Sequence, residues 1–193
     1  MKNILIIGLG SIGRRHTENF SKYFDQIDIV DINPERIDQA NNEYKINNSF
    51  TNYDEAINSN SYDVVAITTP PHLHLPIAKL AASKGCHLFI EKPLGMSIEG
   101  WAEVKDLCDM KNLVSYVAYC HRHINYSQKL KEMVDSNLIG KIIHANLRWG
   151  SYLPDWHPYE DYRSFYMAKK EQGGGALLDE SHGIDLVRYI IGE

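Results

Sequence analysis

A doubly wound parallel α/β sheet is the fold class this chain predicts, and three observations carry the prediction. Short apolar runs alternate with helix-like segments through the first 120 residues, as parallel strands joined by helical crossovers require. The first run, Ile4-Leu5-Ile6-Ile7, opens directly into Gly8-Leu9-Gly10-Ser11-Ile12-Gly13 and then a helical segment beginning at Arg14. An acidic residue, Asp31, closes the second run, Ile27-Asp28-Ile29-Val30.

The remaining elements follow in order. Pro34–Asn42 reads as a helix with proline in its first turn, where the missing N–H is harmless. A short element near Ile46 and a helix over Tyr53–Asn58 come next. Val64–Ile67 reads as a buried strand leading into the loop Thr68–His74, and Leu75–Ser83 as a helix ended by Lys84-Gly85. His87–Ile90 is the next strand and runs into Glu91-Lys92-Pro93. Ser97 is placed to cap a helix reaching Met110, with Glu99 and Glu103 near its positive end. Leu113–Tyr119 completes a six-stranded set.

Beyond this point the character changes. Tyr126–Ser136 reads as an amphipathic helix, Lys141–Trp149 as a strand, and Ser151–Tyr166 as an aromatic loop. Gly173-Gly174-Gly175 then introduces a last helix from Ala176 to Ile191. The chain is thus expected to hold a dinucleotide-binding domain over 1–120 and the first part of an incomplete α+β domain over 121–193. A lone strand at Lys141–Trp149 would expose Ile142, Ile143, Leu147 and Trp149 along an unpaired edge, so the chain by itself is expected to associate.

Composition narrows the function classes. With 193 residues, 44% hydrophobic and 23% charged, the chain can bury a core. A net charge of −5 without a basic run offers no footprint for nucleic acid or an anionic membrane. Cys86, Cys108 and Cys120 are odd in number and lack metal-ligand spacing, which suggests buried thiols in a reducing, cytoplasmic compartment. The N-terminal apolar run is too short for a signal peptide, and no segment approaches a membrane span.

The glycine run, between strand and helix, is the context in which this spacing signals a bound dinucleotide. Gly8 supplies the tight turn, Gly10 lets the backbone approach a pyrophosphate, and Gly13 lets helix and strand pack closely. The helix N-terminus at Ser11 and Ile12 would hold the pyrophosphate. Asp31 lies where an acidic side chain accepts from the adenosine ribose and repels a 2′-phosphate, which predicts NAD over NADP. The plain alternative is a solvated turn aspartate before Asn33-Pro34, and Arg36 could instead neutralise a 2′-phosphate or stack on adenine.

Loops that follow parallel strands meet at one edge of the sheet. Thr69-Pro70, His74 and Glu91-Lys92 should therefore share a crevice with Gly8–Gly13 and Asp31. There, Lys92 could donate to a substrate oxygen and stabilise developing charge, although a lysine at a strand end is often merely a surface residue. Asp179, His182 and Asp185 recur at three-residue intervals, so neighbours share a helix face. An imidazole beside a carboxylate can take a hydroxyl proton, while the same residues could simply line a helix start. His72, His74, His121 and His123 lack zinc-ligand spacing and are read as pocket-shaping groups, with no metal expected.

Taken together, GLGSIGRRH at Gly8–His16, TTPPHLH at Thr68–His74, EKPL at Glu91–Leu94 and GGGALLDESHGIDLVRYIIG at Gly173–Gly192 resemble the Gfo/Idh/MocA oxidoreductases over nearly the whole chain. The resemblance implies a Rossmann-fold NAD(P)-dependent oxidoreductase acting on a sugar, cyclitol or sugar derivative. It implies that Lys92 hydrogen-bonds the reacting hydroxyl and that His182 is the acid/base, supported by Asp179. The family's usual pattern sets that aspartate four residues before the histidine, whereas here the interval is three. Arg122, within Tyr119–His123, falls where members place pocket residues. Trp156, His157 and Tyr162 lie on or near a loop, Leu153–Pro158, similar to relatives from surface-polysaccharide or nonulosonic-sugar clusters. Members continue into an open sheet that commonly carries an oligomer interface, so a homo-oligomer is expected of the full-length form. Two other readings stay open: a relative that cleaves glycosides through transient oxidation without net redox, and a non-catalytic dinucleotide-binding regulator or inactive fragment.

Overall fold

The computed structural model describes residues 2–150, 152–155, 161–164 and 166–192. Two compact units divide the chain, Met1–Val117 and Ala118–Glu193. The first runs β1 (Asn3–Ile7), α1 (Ser11–Phe20), β2 (Gln26–Val30), α2 (Pro34–Glu43), β3 (Asn48–Phe50) and α3 (Tyr53–Ser59). It continues through β4 (Val64–Ile67), a 3-10 turn (Pro71–Leu73), α4 (His74–Ser83), β5 (His87–Ile90), α5 (Trp101–Met110) and β6 (Ser115–Val117).

All six strands are parallel and lie in the order β3-β2-β1-β4-β5-β6. The chain works outward from β1 to β3, then returns to place β4 on the other side of β1. The β1–β4 seam, with Ile7 paired to Ile67, is therefore the switch point where such sheets open a ligand crevice. Successive side chains of β1 feed two cores. Leu5 and Ile7 pack with Val30, Val65, Ile67, Ile77 and Val104, whereas Ile4 and Ile6 pack with Ile27, Ile29, Ile37 and Ala66. Burial on both faces explains why the strand reads as an unbroken apolar run. Each such side chain contributes about 1.5–3 kcal/mol on leaving water.

Several elements differ from their sequence expectation. The third strand forms at Asn48–Phe50, past Ile46, because the buried Asp28 carboxylate draws in the Asn48 N–H at 3.0 Å. Helix α5 begins at Trp101 and not at Ser97. Gly100 takes φ +79, a backbone state through which no helix continues, and Ser97 Oγ accepts the Glu99 N–H at 3.2 Å in a local turn. Glu99 is thus outside the helix and Glu103 is the acidic residue of its first turn.

In the second unit, α6 (Asn125–Asp135), α7 (Ala176–Asp179) and α8 (Ser181–Ile191) are joined by 3-10 turns and irregular chain. Among the described residues this unit contains helices and turns and no strand. Lys141–Trp149 forms no ladder, since extended backbone needs a neighbour to satisfy its N–H and C=O groups. Ile143 is 94% exposed, while Leu147 lies close enough to Gly183 that a Cβ there would come within 2.6 Å. The final helix is two helices, broken at Glu180 with φ −96 and ψ 27.

Candidate functional site

Backbone sterics fix the glycine loop at the switch point. Gly8 has φ +99, and a Cβ there would stand 2.8 Å from the Thr68 carbonyl oxygen. A Cβ on Gly13 would collide with the Gly8 carbonyl. Gly10 is different: a Cβ at that position would meet nothing within 4 Å. Two glycines are therefore demanded by the turn itself, and the third leaves open space in front of it. Thr68 Oγ1 ties the two central strands together, reaching the Gly8 carbonyl at 2.6 Å and the Ile7 carbonyl at 3.0 Å.

Helix α1 makes its first internal bond from the Arg14 N–H to the Gly10 carbonyl at 3.0 Å. The N–H groups of Ser11, Ile12 and Gly13 consequently have no intrahelical acceptor. They point out of the positive end of the helix dipole beside the open space at Gly10, an anion-binding arrangement.

Asp31 is 5% exposed and braces this loop. Its Oδ2 accepts the Leu9 N–H at 2.6 Å, and its Oδ1 accepts the Asn33 N–H at 2.8 Å. Arg36 Nη1 stands 3.6 Å from Oδ2. A carboxylate offers about four lone-pair directions, so acceptor capacity remains after both backbone bonds.

At the ends of β4 and β5 the loops are stitched together by His74. Its Nδ1 lies 2.7 Å from the Pro93 carbonyl and its Nε2 lies 2.7 Å from the Thr69 carbonyl. The ring is fully buried. Burial pushes its pKa below the ordinary value, although both carbonyls favour the charged form. With no exposed surface and both nitrogens engaged, His74 ties together the loops that are expected to contact a dinucleotide. Thr69 Oγ1, by contrast, is buried with no hydrogen-bond partner among the described residues, and Pro70 leads into the 3-10 turn beside it.

Glu91 is similarly occupied. Its Oε1 meets His16 Nε2 at 2.7 Å, and its Oε2 accepts the Lys92 N–H at 3.1 Å. The motif glutamate thus anchors its loop to α1, a role the sequence reading missed. His16 lies three residues after Gly13, on the side of α1 that faces the sheet, and that spacing was the available signal. Lys92 follows, half-buried, with a cis peptide bond to Pro93.

The second unit holds the other expected site residues. Arg122 donates from Nε to Asp185 Oδ2 at 2.8 Å and from Nη2 to Asp185 Oδ1, and its guanidinium lies 5.4 Å from the Tyr189 ring centre. Asp179 is buried and accepts from the Tyr166 hydroxyl at 3.0 Å. The break at Glu180 places Asp179 on α7 and His182 on α8, so the three-residue series does not run along one helix. The His182 ring stacks obliquely on His121 at 4.5 Å and meets the Tyr119 ring edge-on at 5.8 Å. Tyr162 sits in a 3-10 turn beneath the Arg163 guanidinium, 4.6 Å away. Trp156 and His157 lie outside the described residues. Cys86 and Cys108 are buried as expected, whereas Cys120 is exposed. No helix among the described residues is long and apolar enough to cross a membrane.

A glycine loop and helix N-terminus at the switch point, backed by a buried carboxylate after β2, define a Rossmann dinucleotide-binding domain. The chain belongs to the Gfo/Idh/MocA family. The model described as "Oxidoreductase family, NAD-binding Rossmann fold" matches residues 2–119, and that of the GFO/IDH/MocA C-terminal domain matches residues 127–193. The chain is 32% identical over 203 aligned positions to levoglucosan dehydrogenase of Pseudarthrobacter phenanthrenivorans, covering 99% of this chain and 51% of that protein. It is 28% identical to myo-inositol 2-dehydrogenase of Thermotoga maritima, covering 97% and 54%. A solved levoglucosan dehydrogenase in complex with NADH and levoglucosan superimposes with a TM-score of 0.78 at 30% identity, covering 100% of this chain and 54% of that one. The chain spans about half the length of the curated relatives it matches.

Proposed function

We propose that this protein is an NAD-dependent dehydrogenase that oxidises a hydroxyl of a sugar, cyclitol or sugar derivative. The observation that carries the reading is the set of polar groups gathered by the loops at the C-terminal edge of the first unit's sheet. There the open space at Gly10, the α1 N-terminus, the Asp31 carboxylate and the orphaned Thr69 hydroxyl fit a pyrophosphate, a ribose and a polar ring substituent. The relatives named above supply the substrate class. When bound, the nicotinamide supplies the hydride acceptor.

The chain's own residues do the rest. Ser11, Ile12 and Gly13 donate backbone N–H groups to the pyrophosphate, and Gly10 admits it. Asp31 accepts from the adenosine ribose, and its charge opposes a 2′-phosphate, which favours NAD over NADP. Arg36 flanks the adenine side. Lys92 donates to the substrate oxygen and steadies its developing negative charge. His182 accepts the hydroxyl proton as the alcohol becomes a ketone, and Asp179, with its Tyr166 partner, supports that region of the pocket. Arg122, Trp156, His157 and Tyr162 contact the sugar or cyclitol. In the same reading the protein self-associates, a property that sizing chromatography reads directly.

The test is NADH formation over a panel of sugars and cyclitols. Lys92→Ala and His182→Ala are each expected to lower turnover about a hundredfold or more while leaving NAD affinity within a factor of about two. Unchanged turnover in either variant would remove that residue's role. Substrate cleavage without net NADH would replace oxidation by a redox-neutral reaction.

A further inference from the structure

The second unit gathers a donor set that the spacing of its residues conceals. Cys120 and His121 open the 3-10 turn Cys120–His123, and His182 sits in the first turn of α8. One ligand atom from each of the three lies within 4.8 Å of the others. We propose that Cys120, His121 and His182 form a three-ligand site for a thiophilic divalent cation of the zinc class.

The chemistry of the donors favours this ion. One thiolate and two imidazoles match zinc's preference for sulfur and nitrogen, and three protein ligands leave a fourth position for water or a substrate oxygen. Tetrahedral zinc with bonds of about 2.0–2.3 Å needs ligand atoms about 3.3–3.6 Å apart. Side-chain rotations that bring the ligand atoms together by about 1.2–1.5 Å close the difference. Cys120 is exposed, which gives an ion a way in. His121 is held between the Trp149 ring at 5.0 Å and the His182 ring at 4.5 Å. Its Nδ1 is buried and has no hydrogen-bond partner among the described residues, as a ligand nitrogen would be without its ion. On binding, the Cys120 thiol loses its proton to solvent, sulfur and two imidazole lone pairs bond the cation, and water leaves the ion's hydration shell. No redox step is involved. The inference does not rest on the dehydrogenase reading: an ion here would take the His182 lone pair that accepts the hydroxyl proton in that reading, so metal binding and that proton transfer exclude one another.

Cobalt titration of the 193-residue chain, without nucleotide or sugar, tests it. Saturation at one equivalent with thiolate-to-cobalt charge-transfer absorption, reversed by zinc, is expected. Cys120→Ser should abolish that absorption, and His121→Gln should weaken cobalt binding by about tenfold or more. Cys108→Ser should change neither. Absorption that survives Cys120→Ser, full affinity in His121→Gln, or no binding at millimolar cobalt would each overturn the proposal. These readouts need no turnover, so they stand or fall separately from catalysis.

Discussion

The Asp31 carboxylate accepts the Leu9 N–H at 2.6 Å, so the residue read as a ribose ligand also shapes the glycine loop. A hydrogen bond from a ribose hydroxyl to this carboxylate contributes about 1.5–3 kcal/mol. Asp31→Ala is therefore expected to weaken NADH binding about tenfold to a hundredfold and to narrow the preference over NADPH. Paired fluorescence titrations with both nucleotides check this. An unaltered NADH to NADPH ratio would leave Asp31 with only its bracing role.

Gly13 faces the Gly8 carbonyl with no room for a methyl group. Gly13→Ala must separate α1 from β1, and overpacking of this kind costs about 1–3 kcal/mol. Thermal unfolding should show the loss with no nucleotide present. A variant as stable as the parent would mean that the helix can slide along the strand at little cost.

His74 links stability to pH. Burial holds its folded-state pKa below the ordinary 6.5. As pH falls through 6.5 the unfolded chain takes up a proton that the folded unit refuses, so this residue's contribution is present above that pH and is lost below it. The slope from one such group is at most about 1.4 kcal/mol per pH unit. Denaturant unfolding from about pH 7.5 to about pH 5.5 should show a falling stability that is shallower in His74→Gln. Equal slopes in the two proteins would contradict the assignment.

The Arg122–Asp185 pair joins the Cys120–His123 turn to α8. Asp185 is nearly buried, with 9% of its side chain exposed, while Arg122 is 42% exposed. Water screens the arginine, so Arg122→Met should cost about 1–2 kcal/mol, less than loss of a fully buried pair. Amide exchange in Ser181–Ile191 should quicken in this variant; unchanged exchange would mean that packing alone holds the helix.

Legibility from sequence followed the range of the interaction. Val64–Ile67 and His87–Ile90 form strands at the expected bounds because each reads as a compact, largely apolar run with at least one face buried. The glycine loop and Asp31 were legible for a related reason, since the Gly8–Gly13 contact and the Leu9–Asp31 hydrogen bond fall within thirty residues of chain. The start of α5 was not, because the positive φ of Gly100 depends on how the preceding turn packs. Lys141–Trp149 carries strand-forming residues, yet a strand exists only against a neighbour. The pairs His16–Glu91 and Arg122–Asp185, and the trio Cys120, His121 and His182, bring together residues far apart in the chain. Beyond the spacing of His16 from Gly13, no local pattern announces them.

The proposed dinucleotide site requires a pyrophosphate lying over Gly10. That residue has φ −63 and open space at its Cβ position, so Gly10→Ala is compatible with the same backbone. Titration of NADH into the parent chain and this variant, with unfolding midpoints recorded for both, is the direct measurement. Saturable binding to the parent, at least about tenfold weaker in the variant at equal stability, is the result expected. Equal affinity in the two proteins, or no saturable binding to the parent, would contradict it.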